Sequence, residues 1–409
     1  LLDAYYAEEL DLDNEVVELI ELMNDAGGTA VAKYEKMEMK ADPVDHRVRG
    51  ILRYAGAPST LRYTSLTLQV HNMRRDAFDY DKAEFIIKQI LKGEELKDTN
   101  GEKLNVMDTL ARLLRAAIIP EDNHILVVND WSSVESRMTA YLAGDERKLD
   151  VFRSGQDVYC YAAEGIYGKK ITKKENPSER DVGKVTDLAC GFLGGHNALM
   201  SMARKFKINI ATERAKQIVE GYRLKHQKIV KYGDMLMLAA KKAVKNPGQK
   251  IMVGSVSQVS YMFNEEDGAL YCTLPDGKTK LRYPECRLEF KPAPWDKSQK
   301  IEALTALKAS KTPKATAKEW ARHGLWRGLL LENIVQGSCA ILLKDAIFEC
   351  QESNLKVIFH VHDEIICETE ISKADHCMAE LQEIMEMVPE WAEGLPLEAE
   401  PELMKRYGK

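Results

Sequence analysis

The stretch Ile125-Leu126-Val127-Val128-Asn129-Asp130-Trp131-Ser132-Ser133-Val134-Glu135-Ser136-Arg137 decides how the chain is read. Four consecutive aliphatic residues bounded by polar ones form a short buried strand. The strand stops at Asn129-Asp130, and a helical pattern starts at Ser132 or Ser133. A strand end holds a carboxylate rigidly at the edge of an element. Glu135 and Arg137 follow within two helical turns, and paired acids at such an edge are a usual way to hold Mg2+. The plainer alternative is a helix cap, in which Asp130 or a serine satisfies free backbone N–H groups.

A second acidic pair lies far downstream. The apolar runs Leu355–Val361 and Ile365–Thr369 flank His362-Asp363-Glu364 and read as strand, tight turn, strand. Tight hairpins favour Asn-Gly or Asp-Gly, so His-Asp-Glu is poor turn chemistry. Charge at a buried hairpin tip is unfavourable unless a cation or partner offsets it, and a poor local choice between good strands marks a functional site. Between the two acidic stretches, Arg180 and Lys184 are four residues apart and share a helix face. Leu188 and Phe192 extend that face. Two cations followed by an apolar and an aromatic platform suit a nucleotide; the alternative is a solvated Arg/Lys pair above a core stripe.

The rest of the sequence frames these motifs. The chain has 409 residues, 45 % apolar and 30 % charged, as in ordinary globular proteins. It carries no apolar run long enough for a membrane-spanning helix and no basic-then-apolar leader. The net charge is 58 − 64 = −6, which gives no global nucleic-acid signature. Locally, residues 1–45 carry 13 acids against 3 lysines, and 291–327 carry 9 basic against 3 acidic residues. A basic stretch of this kind can bind nucleic acid locally. None of the 8 cysteines forms a C-x-x-C pair, so a zinc ribbon is excluded and reduced core thiols in a cytoplasmic compartment are expected. Neither Gly183-Lys184 nor Gly277-Lys278-Thr279 completes a P-loop. An amphipathic helix is expected over 10–23, mostly helix over 148–245, strands over 250–290, a Lys- and Ala-rich flexible connection over 291–318, and helices over 325–351 and 373–387. Mixed strands and helices with acids at strand ends give an α+β fold.

Together the three motifs resemble those of family A DNA polymerases, the bacteriophage type in particular. Asp130-Trp131-Ser132-Ser133-Val134-Glu135-Ser136-Arg137 is similar to the first motif, Asp-x-Ser-x-x-Glu-x-Arg. Arg180, Lys184 and Phe192 resemble the second, and Val361-His362-Asp363-Glu364 the third. Arg62, Gln69, His71 and Asn72 resemble a segment that contacts the primer terminus and minor groove, and Gln336 a residue that touches the template. The resemblance implies a right-hand fold with an antiparallel-sheet palm, helical fingers and a partial helical thumb. The expected divisions are 1–45 thumb remnant, 46–150 palm with the first motif, 151–250 fingers, 251–324 insertion and connection, and 325–409 the rest of the palm.

The resemblance also implies roles. Asp130, Asp363 and the Trp131 carbonyl would hold two Mg2+ ions, with Mn2+ as a substitute. Arg180 and Lys184 would bind the dNTP triphosphate, Lys184 serving as catalytic acid. Phe192 and Leu188 would line the base and sugar, and Glu135 would exclude ribonucleotides. Arg62, Gln69, His71, Asn72, Gln336, His362 and Glu364 would contact primer–template DNA. Departures are visible. Leu188 stands where an aromatic is common, so dideoxynucleotides are expected to be poor substrates. Phe192 replaces a tyrosine, Leu193 precedes Gly194-Gly195, and Gly328 replaces an arginine that has Arg327 beside it. No exonuclease motif precedes Arg62, so proofreading is expected from a separate or removed part, and a processivity factor is a further expected partner. The alternatives are a single-subunit RNA polymerase-like palm enzyme and a silent nucleic-acid-binding subunit. A bacterial or phage-infected host cytoplasm is the expected location.

Overall fold

The computed structural model describes residues 32–254, 259–293, 298–308 and 320–408. The expected helix over 10–23 and most of the 1–45 segment lie outside them; within that segment, Ala32–Lys40 is helical.

A four-stranded antiparallel sheet positions the acidic motifs. Its order is Val357–Val361, Glu364–Glu370, His124–Trp131, Ala399–Met404. The strand His124–Trp131 is central and covered on both faces, which explains its unbroken apolar run. Alternate residues serve different cores. Leu126 and Val128 pack with Leu68, Val70, Phe359, Ile366 and Tyr407. Val127 and Trp131 enter the main core with Leu330, Ile334, Leu236, Met138 and Leu381. That core gathers the long helix Arg327–Glu352, the helices Val134–Ala143 and Gln227–Lys245, and the helix Ala374–Glu386.

A second helical layer comprises Val158–Tyr167, Pro177–Cys190, His196–Lys205 and Thr212–Lys225. It has its own core of Val185, Leu199, Ala215, Ile218 and Tyr222. Gln227–Lys245, which follows these helices, packs into the main core instead. Two of these helices approach very closely. A Cβ on Gly183 would stand 2.1 Å from the Tyr159 carbonyl oxygen, so the crossing depends on glycine there.

Two further antiparallel sheets pack against the helix Gln227–Lys245. One runs Ile251–Met252, Ser260–Asn264, Ala269–Thr273, Lys280–Tyr283; the other runs Ala321–Leu325, Lys300–Lys308, Arg287–Pro292. The second sheet corrects the expected flexible connection within 291–293 and 298–308; the rest of 291–318 lies outside the described residues. Its central strand buries Leu304 and Ala306, with two of the segment's lysines, Lys300 and Lys308, at its ends.

Candidate active site

Asp130 lies inside the strand His124–Trp131, and the following helix starts at Val134. The helix-cap reading is thereby set aside. Ser133 occupies the cap position in the left-handed region (φ +52°) and makes no side-chain cap bond. The strand pairing places Glu364 directly opposite Asp130 on one side and Glu400 on the other. Asp363 joins them at the hairpin tip, where its carbonyl accepts the Trp131 N–H at 3.3 Å. Like charges directly opposite one another destabilise a sheet. Burial, and then the Asp130 charge, push the Asp363 carboxyl up to about 7. Among the described residues, no three His, Cys, Asp or Glu side chains converge as a complete metal cage. The donor set is a pair of carboxylates that repel each other.

The hairpin carrying Asp363 is strained and braced. His362 has φ +57°, a conformation uncommon for a non-glycine residue. Its Nδ1 lies 3.1 Å from the Arg62 guanidinium, and its Nε2 lies 3.3 Å from the His71 carbonyl oxygen. The His71 ring, 4.9 Å from that of His362, is fixed in turn by Ser65. Burial and the charge of Arg62 hold both imidazoles down to about 4, so they are neutral at pH 7.

Arg62 also reaches Glu135 at 3.3 Å. Burial raises the Glu135 carboxyl, while Arg62 and a bond from Gln336 oppose the shift. Arg62, Tyr63, His71, Glu135, Cys339, His362 and Asp363 line one cleft. The first and third motifs, the Arg62 segment and the Gln336 helix thus converge. Gln69, in the left-handed region at φ +51°, and Asn72 are exposed on the adjoining segment.

Three positions need a local account. Glu364 is buried, and its Oε1 accepts the Tyr407 hydroxyl at 2.6 Å. That bond ties the carboxylate, directly opposite Asp130 in the sheet, into the sheet's interior. Phe192 does not share the helix face of Arg180 and Lys184, because the helix ends at Cys190. It lies in the turn beyond, where Leu193 (φ +61°) takes the left-handed position instead of a glycine. Gly328 has no room for an arginine: a Cβ would stand 2.3 Å from the Phe192 carbonyl oxygen. Arg327 is engaged with Asp234 at 2.5 Å.

On the helix Pro177–Cys190, the Arg180 Nε donates to Asp157 at 2.7 Å. The Lys184 ammonium lies 5.8 Å from the Tyr159 ring and 5.2 Å from that of Phe206, and Leu188 is exposed. Sequence reasoning missed Tyr159. Its hydroxyl lies 3.3 Å from Ser133 Oγ, and the Arg180 guanidinium stands 5.2 Å from its ring, so it joins the first and second motifs. No spacing rule exposes it, because Tyr159 belongs to a different helix from either.

An antiparallel sheet with acids at adjacent strand ends, faced by a helical layer bearing Arg180 and Lys184, defines a right-hand polymerase fold. A family profile described as DNA polymerase family A matches residues 96–252. A DNA polymerase of Bacillus phage SP02 is 31 % identical over 399 residues, 97 % of this chain and 58 % of that protein. The thermostable DNA polymerase I of Thermus thermophilus is 24 % identical over 307 residues, covering 74 % of this chain and 29 % of the relative. The POL domain of Pol1 from M. smegmatis, solved in complex with DNA primer-template and dNTP, superposes with a TM-score of 0.55 at 16 % identity. That superposition covers 92 % of this chain and 50 % of the other. Along most of its length the chain is similar to DNA polymerases of family A, and it spans from under a third to under three-fifths of the length of these relatives.

Proposed function

We propose that the chain is a template-directed DNA polymerase that adds deoxynucleotides to a primer 3′-hydroxyl. The observation that carries this reading is that Asp363, next to the strand partner of Asp130 and within reach of the Asp130 charge, lines one cleft with Arg62, Glu135 and His362. Two mutually repelling carboxylates fit divalent cations, which would neutralise them. Asp130 and Asp363 would hold two Mg2+ ions with help from the Trp131 carbonyl. When bound, such ions polarise the reacting phosphate and stabilise the attacking and leaving oxygens.

The protein's own groups do the rest. Arg180 and Lys184 neutralise the triphosphate as charge builds on it, Arg180 exchanging its Asp157 partner for phosphate oxygens. Lys184 carries a proton that the departing pyrophosphate can take. Glu135, held by Arg62 and Gln336, closes the space a 2′-hydroxyl would need. Arg62 and Gln336 test the minor groove, with Gln69, His71 and Asn72 along the primer side. His362, neutral and braced, fixes the hairpin beside the primer end. Phage and bacterial relatives, together with eight free cysteines, support action in a bacterial or infected-cell cytoplasm. Among the described residues no helix is long and apolar enough to cross a membrane.

Primer extension tests the reading. A labelled primer–template with Mg2+ and dNTPs is expected to give templated products that disappear in Asp363→Ala while DNA binding persists. Extension with NTPs instead would favour an RNA polymerase-like enzyme. DNA binding without extension under either condition would favour a silent binding subunit.

A further inference from the structure

Behind the cleft, the helical layer contains a polar cluster that the proposed chemistry does not use. Asp187 follows Lys184 by three residues on the same helix but points inward, 4 % exposed. Its carboxylate accepts from the Lys148 ammonium at 2.6 Å, from Ser136 Oγ at 2.7 Å and from the Tyr222 hydroxyl at 3.1 Å. Lys148, 1 % exposed, also reaches the Tyr222 hydroxyl at 3.3 Å. A second layer supports the first. His226 Nδ1 lies 2.8 Å from Asp145, its ring lies 4.5 Å from that of Tyr222, and Asp145 Oδ1 accepts the Lys148 backbone N–H at 3.4 Å. Four helices therefore meet at one carboxylate: those carrying Glu135, Lys148, Lys184 and Tyr222.

A buried ion pair is a poor device for stability alone, since apolar residues of similar volume commonly serve as well or better. A fully satisfied polar network instead favours one arrangement of its elements, because any shift leaves a buried group unpaired. Here Ser136 is the neighbour of Glu135, and Asp187 lies less than one turn from Lys184. We propose that Ser136, Lys148 and Asp187 are positioning residues that lock the helix bearing the phosphate-binding cations to the helix bearing Glu135. The triphosphate and the sugar of one nucleotide then meet their two sets of contacts at a fixed separation. This rests on the polymerase reading above.

The test compares Lys148→Met/Asp187→Leu and Ser136→Ala with the unaltered protein. The paired apolar variant is expected to unfold within a few degrees of the parent. Its KM for dNTP is expected to rise roughly tenfold with a smaller change in kcat, and its preference for dNTP over rNTP to fall roughly fivefold. Primer–template affinity is expected to stay constant. Ser136→Ala is expected to shift KM and sugar preference in the same direction by roughly threefold. Hydrogen exchange of the free protein is expected to quicken in 177–190 and not in the sheet strands. Unchanged KM and unchanged sugar preference in the folded variants would overturn the positioning role. If the double variant fails to fold, Ser136→Ala decides by the same two readouts. If the unaltered protein extends no primer, the polymerase reading falls instead, and unchanged exchange in 177–190 would then overturn the lock.

Discussion

Asp363 is the residue at which stability and chemistry oppose each other. Its carboxyl, raised to about 7 from an ordinary 3.8 by burial and by Asp130, keeps its proton in the folded state over a range where the unfolded chain has lost it. For a raised acid, that contribution is present at low pH and is lost as pH rises through the folded value. Without divalent ions, Asp363→Asn should therefore be more stable than the parent at pH 8, with the gap shrinking towards pH 5. Urea unfolding in EDTA at the two pH values measures this; a gap that widens on acidification refutes it. Added Mg2+ at pH 8 should stabilise the parent by mass action and leave the Asn variant nearly unmoved, and the variant should extend no primer. Glu135 gives a second expectation: Glu135→Ala should raise rNTP incorporation roughly tenfold or more, about 1.4 kcal/mol in the transition state, read from kcat/KM with paired dNTP and rNTP. At exposed Leu188, tyrosine should ease dideoxynucleotide termination; chain-termination ladders that match the parent's would refute it.

Among the elements, the crossing of Val158–Tyr167 with Pro177–Cys190 has the least slack. Gly183→Ala must displace the Tyr159 carbonyl and the backbone nitrogen of Ala163, 2.1 and 2.9 Å from the new Cβ. Overpacking of this kind destabilises by roughly 1–3 kcal/mol. Because Tyr159 and Lys184 ride on the two helices, KM for dNTP should rise as well; wild-type urea midpoint and KM would refute the prediction. Such crossings explain which parts of the molecule were legible in its sequence. The strand ending at Asp130 and the hairpin at Asp363 are visible because aliphatic runs stop abruptly at acids. The long helix Arg327–Glu352 is visible from its long apolar run, although it is buried nearly all round and has little amphipathic periodicity. Lys300–Lys308 was misread because lysines at both strand ends outweighed its buried Leu304 and Ala306. Phe192 falls off the Arg180–Lys184 face because the helix ends at Cys190 with Gly191 as its cap, before the Gly194-Gly195 pair. The burial of Glu364 is not legible, because nothing near it in sequence reveals that Tyr407 folds back onto it. The Lys148–Asp187 cluster is assembled from four separate helices, which no spacing rule connects.

At the scale of the whole molecule, the helical layer and the sheet are stabilised by separate cores. The sheet and the long helix share the main core, whereas Val185, Leu199, Ala215, Ile218 and Tyr222 form a smaller one. Native-state exchange should therefore show amides of His196–Lys205 and Thr212–Lys225 opening at lower free energy than those of His124–Trp131. Equal protection in both would mean a single cooperative unit. The sheet order has a further consequence for synthesis. Asp130 gains its neighbours Glu364 and Glu400 only when the later strands dock on both sides of it. On a ribosome, the first motif emerges long before the third and must wait, its apolar strand unpaired, through translation of the entire helical layer. Pairing across such separations is slow, so the nascent chain has reason to engage a chaperone during that interval, and a chain interrupted before residue 399 would lack one flank of its Asp130 strand.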